Sequence, residues 1–168
     1  MLDFISKILS LFPFFKRQYS TPLADLKRKA KCGDIKAQFK LAICYLDGIG
    51  CKKNHAKAFQ LWKKAAELGD IQSQYNLGVC YKYGEGVARN PEEAFKWWKK
   101  AAEQGEPEAQ FNLGNCYENG DRIERDLFKA FEWYQRSAEQ GFVKSQNNLG
   151  CCYEIGLGVK KNLKEAFK

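Results

Sequence analysis

Metal and nucleophilic sites are most often built from histidine and cysteine, and this 168-residue chain has one histidine and seven cysteines. His55 alone excludes most histidine-based metal and acid–base sites within one subunit. The cysteines are Cys32, Cys44, Cys51, Cys80, Cys116, Cys151 and Cys152. No C-x-x-C spacing occurs, so a zinc reading has no support. Cys44, Cys80, Cys116 and Cys152 recur at one spacing, each just before a tyrosine. Packed helices lie about 8–10 Å apart, whereas a disulfide needs Cα atoms within about 7 Å. Equivalent cysteines are therefore poor disulfide partners and read as small core residues. Their odd number favours a reducing, cytoplasmic setting, with a membrane-peripheral or exported location as the alternative. Serines occur, but no residue is placed to activate one. We expect no catalytic residue, no metal and no cofactor.

The elements behind this spacing form a repeat. Gly33, Gly69, Gly105 and Gly141 open units of 36 residues, and Leu41, Leu77, Leu113 and Leu149 follow at one phase. Tyr45, Tyr81, Tyr117 and Tyr153 recur in the same way, as do Gly48, Gly84, Gly120 and Gly156. Ala58, Ala94, Ala130 and Ala166 come later, each followed by Phe. The units opened by Gly69 and Gly105 agree at 15 of 36 positions without a gap. A period of about 20–50 residues marks a solenoid or array.

Each unit reads as two helices. Ala37, Leu41 and Tyr45 share one face of helix A. Helix A ends at the glycine of the Gly48 phase, where the left-handed conformation is accessible. Helix B starts after Asn54, Asn90, Asp126 or Asn162, all good N-caps. Pro91 suits a first turn, and Glu93 and Glu165 stand where a capping box would close. Ala58, Phe59, Trp62, Ala65 and Ala66 give helix B a packing face that only stacked units can bury. The expected fold is an all-α, right-handed α-solenoid of helix-turn-helix repeats. Its divisions are an amphipathic segment over 1–20, a half-repeat capping helix over 21–33, and three full repeats with a truncated fourth over 34–168. Arg122 stands where other units carry a second loop glycine, so the third loop should differ from its neighbours.

The run Ala-Gln-Phe-Asn-Leu-Gly-x-Cys-Tyr-x-x-Gly at 109–120, with Ala-Phe-x-Trp-Tyr-x-x-Ser-Ala-Glu-x-Gly at 130–141, resembles the Sel1-like repeat, a relative of the tetratricopeptide repeats. The resemblance covers about residues 22–168. It implies a solenoid that serves as an adaptor or scaffold for protein complexes, and it names no partner. A secreted subgroup of that family staples each hairpin with a cysteine pair, and some of its members are described as weak β-lactamases. This chain lacks a regular pair in every unit.

Charge divides the chain. Residues 1–68 hold 14 basic and 5 acidic residues, residues 69–140 hold 9 and 13, and residues 141–168 hold 5 and 2, giving +9, −4 and +3. The basic end suggests an acidic partner or a membrane surface there. The acidic middle argues against a long nucleic-acid track. Within residues 1–20, Leu2, Ile5, Leu9 and Phe12 share one helical stripe. The apolar run of about 14 residues is short of the roughly 20 needed to span a bilayer. This segment would dock on the array as a cap, lie on a membrane surface helped by Lys16 and Arg17, or act as a degenerate export signal.

The expected binding surface is the concave side formed by helix A. Its candidate residues are Phe39, Lys40 and Ile43, then Tyr75, Asn76, Val79 and Lys82, then Phe111, Asn112 and Asn115, and finally Asn148. Asn76, Asn112 and Asn148 share one phase. Amides there can bond a peptide backbone while aromatic neighbours hold its side chains. The alternative is that the amides satisfy local backbone and the aromatics belong to the core. The leading reading is a non-enzymatic scaffold for a protein or peptide. The alternatives are a β-lactamase-like activity and a basic-end nucleic-acid or membrane-surface binder.

Overall fold

A computed structural model describes residues 22–120 and 123–166, and the chain divides into two compact units at Asp70. The N-terminal segment and Arg122 lie outside the described residues, so the readings placed on them have no structural counterpart.

The first unit holds α1 (Leu23–Lys31), α2 (Ile35–Asp47) and α3 (His55–Glu67). Asp34 caps α2, its carboxylate accepting from the Ala37 N–H at 2.9 Å. Asn54 caps α3, accepting from the Lys57 N–H at 2.9 Å. Gly48 ends α2 at φ 77°, which turns the chain so that the Ile49 N–H also reaches the Cys44 carbonyl, at 2.9 Å. Leu26 and Ala30 of α1 close over Ala37, Leu41 and Cys44 of α2, with Tyr45, Cys51 and Leu61 at the margin. Ala58, Ala65 and Ala66 are buried on α3, where small side chains let helices approach closely.

The second unit holds α4 (Ile71–Tyr83), α5 (Pro91–Glu103), α6 (Pro107–Asn119), α7 (Leu127–Glu139), α8 (Val143–Ile155) and the short α9 (Leu163–Ala166), each packed on the next. Trp98, Ala94, Ala101 and Ala102 of α5 meet Ala109, Leu113 and Cys116 of α6. Ala130, Phe131 and Tyr134 of α7 meet Cys152 of α8. Full burial of side chains this large contributes about 1.5–3 kcal/mol each. Among the described residues all regular structure is helical.

The caps differ from expectation in one respect. Asn90 accepts from the Glu93 N–H, but its own N–H goes to the Tyr81 carbonyl at 2.8 Å, and the Glu93 carboxylate pairs with Lys96. The capping box therefore stays open. The same bond recurs from Asn54 to Tyr45, Asp126 to Tyr117 and Asn162 to Tyr153. The phase tyrosine thus supplies a carbonyl that ties helix B back to helix A across the loop.

None of the seven cysteines is in a disulfide; Cys44, Cys80, Cys116 and Cys152 are buried, whereas Cys32 and Cys151 are exposed. Burial pushes the Cys80 thiol up to about 12 and the Cys152 thiol up to about 11. Such thiols are poor nucleophiles at neutral pH.

Candidate partner-binding face

Helix A of each repeat leaves a half-buried strip beside its core face. In the first unit Phe39, Lys40 and Ile43 of α2 lie there. In the second unit the strip carries Tyr75, Asn76, Val79 and Lys82 of α4, Phe111, Asn112 and Asn115 of α6, and Asn148 of α8, all half-buried. Several of these residues make contacts within the chain. Tyr75 and Val79 pack against the Trp98 cluster, and Phe111 against the Tyr134 cluster. The Asn76 amide donates back to the Gln72 carbonyl at 3.0 Å, a local bond within its own helix. The remaining amides instead join residues of other helices.

Tyr134 organises Asn115 and Asn148. Its ring lies on Gly114, where an added Cβ would stand 2.5 Å from Cε1. That close approach carries the phenol past α6. The hydroxyl donates toward Asn115 Oδ1 at 2.7 Å and Glu118 Oε2 at 2.5 Å, and Asn148 also bonds it. Burial, reinforced by the Glu118 carboxylate, pushes the phenol well above its ordinary pKa and keeps it a donor. Trp98 repeats the geometry one unit earlier. A Cβ on Gly78 would overlap its ring, and its indole N–H donates to the Tyr75 carbonyl at 3.2 Å.

The rim of the strip is acidic. Gln72 donates to Glu106 Oε2 at 2.9 Å. Burial and the neighbouring Glu108 push the Glu106 carboxyl up to about 7. Burial and the same two carboxylates raise the Tyr75 phenol to about 12, against a bond from Asn112. Asn112 and Asn115 use only part of their hydrogen-bonding capacity in these contacts, since an amide offers two donor hydrogens and a two-lone-pair oxygen.

Sequence reasoning placed the amides and aromatics of helix A but missed Tyr134, Gln72 and Glu106. The available signal for Tyr134 was its phase, shared with Trp62 and Trp98, together with a glycine at 114 where the first repeat has Ala42. Among the described residues no group of three or more His, Cys, Asp or Glu side chains is placed to hold a metal ion.

The pattern of buried glutamines, glycine-seated aromatics and loop glycines recurs with the 36-residue period, and the Sel1 repeat profile matches residues 35–70, 71–106, 107–142 and 143–168. The chain belongs to the Sel1 repeat family. Its fold is accordingly an all-α solenoid of helix-turn-helix repeats. A protective antigen of uropathogenic Escherichia coli displaying an SLR fold is similar at 37% identity and a TM-score of 0.85, over 88% of this chain and 32% of that one. A Sel1 repeat protein from Oxalobacter formigenes is similar at 32% identity and a TM-score of 0.79, over 86% and 42%. Cysteine-rich protein B of Helicobacter pylori is similar at 30% identity and a TM-score of 0.53, over 68% and 81%. The chain thus spans about a third of the first of these and under half of the second. No curated protein matches the sequence. Sel1 repeat proteins are generally non-enzymatic helical scaffolds for protein interaction.

Proposed function

We propose that this Sel1 repeat chain is a non-enzymatic scaffold whose helix A strip, over α4, α6 and α8, holds an extended segment of a partner protein. The observation that carries this reading is the Tyr134 node. One buried phenol fixes Asn115, Glu118 and Asn148 from two different helices in a single arrangement. Amides held in this way lose little side-chain entropy when they bond a peptide backbone. Tyr75, Val79 and Phe111 between them offer apolar footing for side chains.

Capture of partner proteins by the immobilised chain tests the proposal. The double variant N112A/N148A should lose capture while its helical circular dichroism stays unchanged. Charge reversal on the outer helix B face, at Lys64 and Lys100, should leave capture intact. Loss confined to the outer-face variant would overturn the assignment of the strip.

A further inference from the structure

The first unit carries a cleft lined by lysines. Lys27 of α1, Lys52 and Lys53 of the loop, and Lys57 in the first turn of α3 line one open cleft of about 380 Å³ with Tyr45, Cys51 and Asn54. No carboxylate lines it. The half-buried Asp47 offsets part of the Lys53 charge from beside the cleft, and Lys57 lies over the Tyr45 ring at 5.2 Å. The N-terminal end of α3 adds partial positive charge of the same sign.

Sister repeats show which of these charges the fold requires. The position of Lys53 is basic throughout, and Arg89 and Arg125 there donate to the carbonyls of Lys82 and Glu118. That charge has a structural use. The position of Lys52 is Ala88, Glu124 or Lys160 in the other units, and that of Lys57 is Glu93, Lys129 or Glu165. Neither lysine is needed to build a repeat. Bringing them together with Lys27 and Lys53 sets like charges against one another, which an anion in the cleft would relieve.

We infer that this cleft is an anion site for an acidic segment of a partner polypeptide, taking its side-chain carboxylates among the four ammonium groups. It rests on the scaffold reading above but uses a different surface. A recess lined from three helices and a loop suits side chains entering it, whereas a bilayer presents a broad, nearly flat anionic plane.

The test measures fluorescence anisotropy of labelled hexaglutamate with the full chain. Binding is expected at about 50 mM salt and should weaken as screening shortens toward about 200 mM. K52E/K57E should bind at least about ten-fold more weakly. Both substitutions place residues that sister repeats already carry, and unchanged circular dichroism checks the fold. K27E offers an independent third lysine with the same expected direction. Equal binding by wild type and K52E/K57E overturns the inference, as does binding to phosphatidylserine vesicles without binding to the peptide. N112A/N148A should bind hexaglutamate as wild type does. If that variant keeps partner capture as well, the strip assignment fails while the cleft stands. If K52E/K57E alone keeps hexaglutamate binding, the cleft fails while the strip stands.

Discussion

The first repeat and its successors solve the same packing problem with different interiors. In the second unit, Gln104 donates to Gln74 Oε1 at 2.7 Å and Gln140 to Gln110 Oε1 at 2.8 Å. The first unit has Leu68 at that phase, 59% exposed, and the buried Gln38 Oε1 has no hydrogen-bond partner. Trp98 sits on Gly78 and bonds the Tyr75 carbonyl; Trp62 has the same phase in a repeat with Ala42 in place of that glycine, and its buried indole N–H has no partner. The repeat without this bond is the one that carries alanine in the glycine's place. At the helix entry the order reverses. Asp34 caps α2, whereas Glu106 leaves α6 without a side-chain cap. A shared repeat thus fixes the backbone, and single side chains decide which buried polar groups are satisfied.

Introducing the first repeat's alanine into the second unit should have the largest effect. G114A forces a methyl into the Tyr134 ring and moves its hydroxyl off Glu118. Overpacking costs about 1–3 kcal/mol and the helix gains back about 1 from losing glycine. With the hydroxyl network also disturbed, a net loss of about 2 kcal/mol is expected by urea unfolding. An unchanged midpoint would show that the close seat is incidental. Q140L comes next. It recreates the Leu68 situation by stranding Gln110 Oε1, and should cost about 1–2 kcal/mol.

The two tryptophans permit a matched pair. W98F and W62F remove the same volume from equivalent sites, but only W98F forfeits a hydrogen bond. W98F should therefore cost about 1 kcal/mol more than W62F. Equal losses would mean that the indole bond contributes nothing beyond packing.

Much of the fold was legible because its signals are local. Asn54, Asn90 and Asp126 cap the helices that follow them, and Gly48 and Gly120 end helices in the left-handed conformation. The buried phase cysteines followed from helical spacing alone. The capping box at Glu93 failed because the competing acceptor, the Tyr81 carbonyl, lies on the preceding helix and reaches Asn90 only once the hairpin closes. The Tyr134 node was hidden for the same reason. Its partners Asn115 and Glu118 are on α6 and Asn148 is on α8, so no spacing within α7 announces them. The helix A strip was legible as a row of residues, but which amides were spent on local backbone was not.

The defect in the first unit should be correctable. L68Q places at the end of α3 the amide that Gln104 and Gln140 supply elsewhere, within reach of Gln38 Oε1. A gain of about 1 kcal/mol is expected, since an orphaned buried acceptor becomes paired and an exposed leucine is removed. No gain would show that repeat phase does not carry side-chain position between the units.

The reverse transplant concerns the helix entry and is the smallest effect. Glu106 has φ −66° and ψ 114°, close to the −64° and 108° of Asp34, so aspartate there has the backbone needed to cap α6. E106D should gain about half a kcal/mol at neutral pH through that cap. Its pH dependence is the sharper readout. The Glu106 carboxyl is pushed from 4.5 up to about 7 by burial and Glu108. The folded state therefore holds a proton that the unfolded state has released between these values. Wild-type stability accordingly falls as pH rises across that interval and levels off above it. A capping aspartate is stabilised as the anion, so E106D should lose this slope, and its advantage should widen from pH 5 to pH 8. Parallel pH profiles for the two proteins would place the raised titration elsewhere in the molecule.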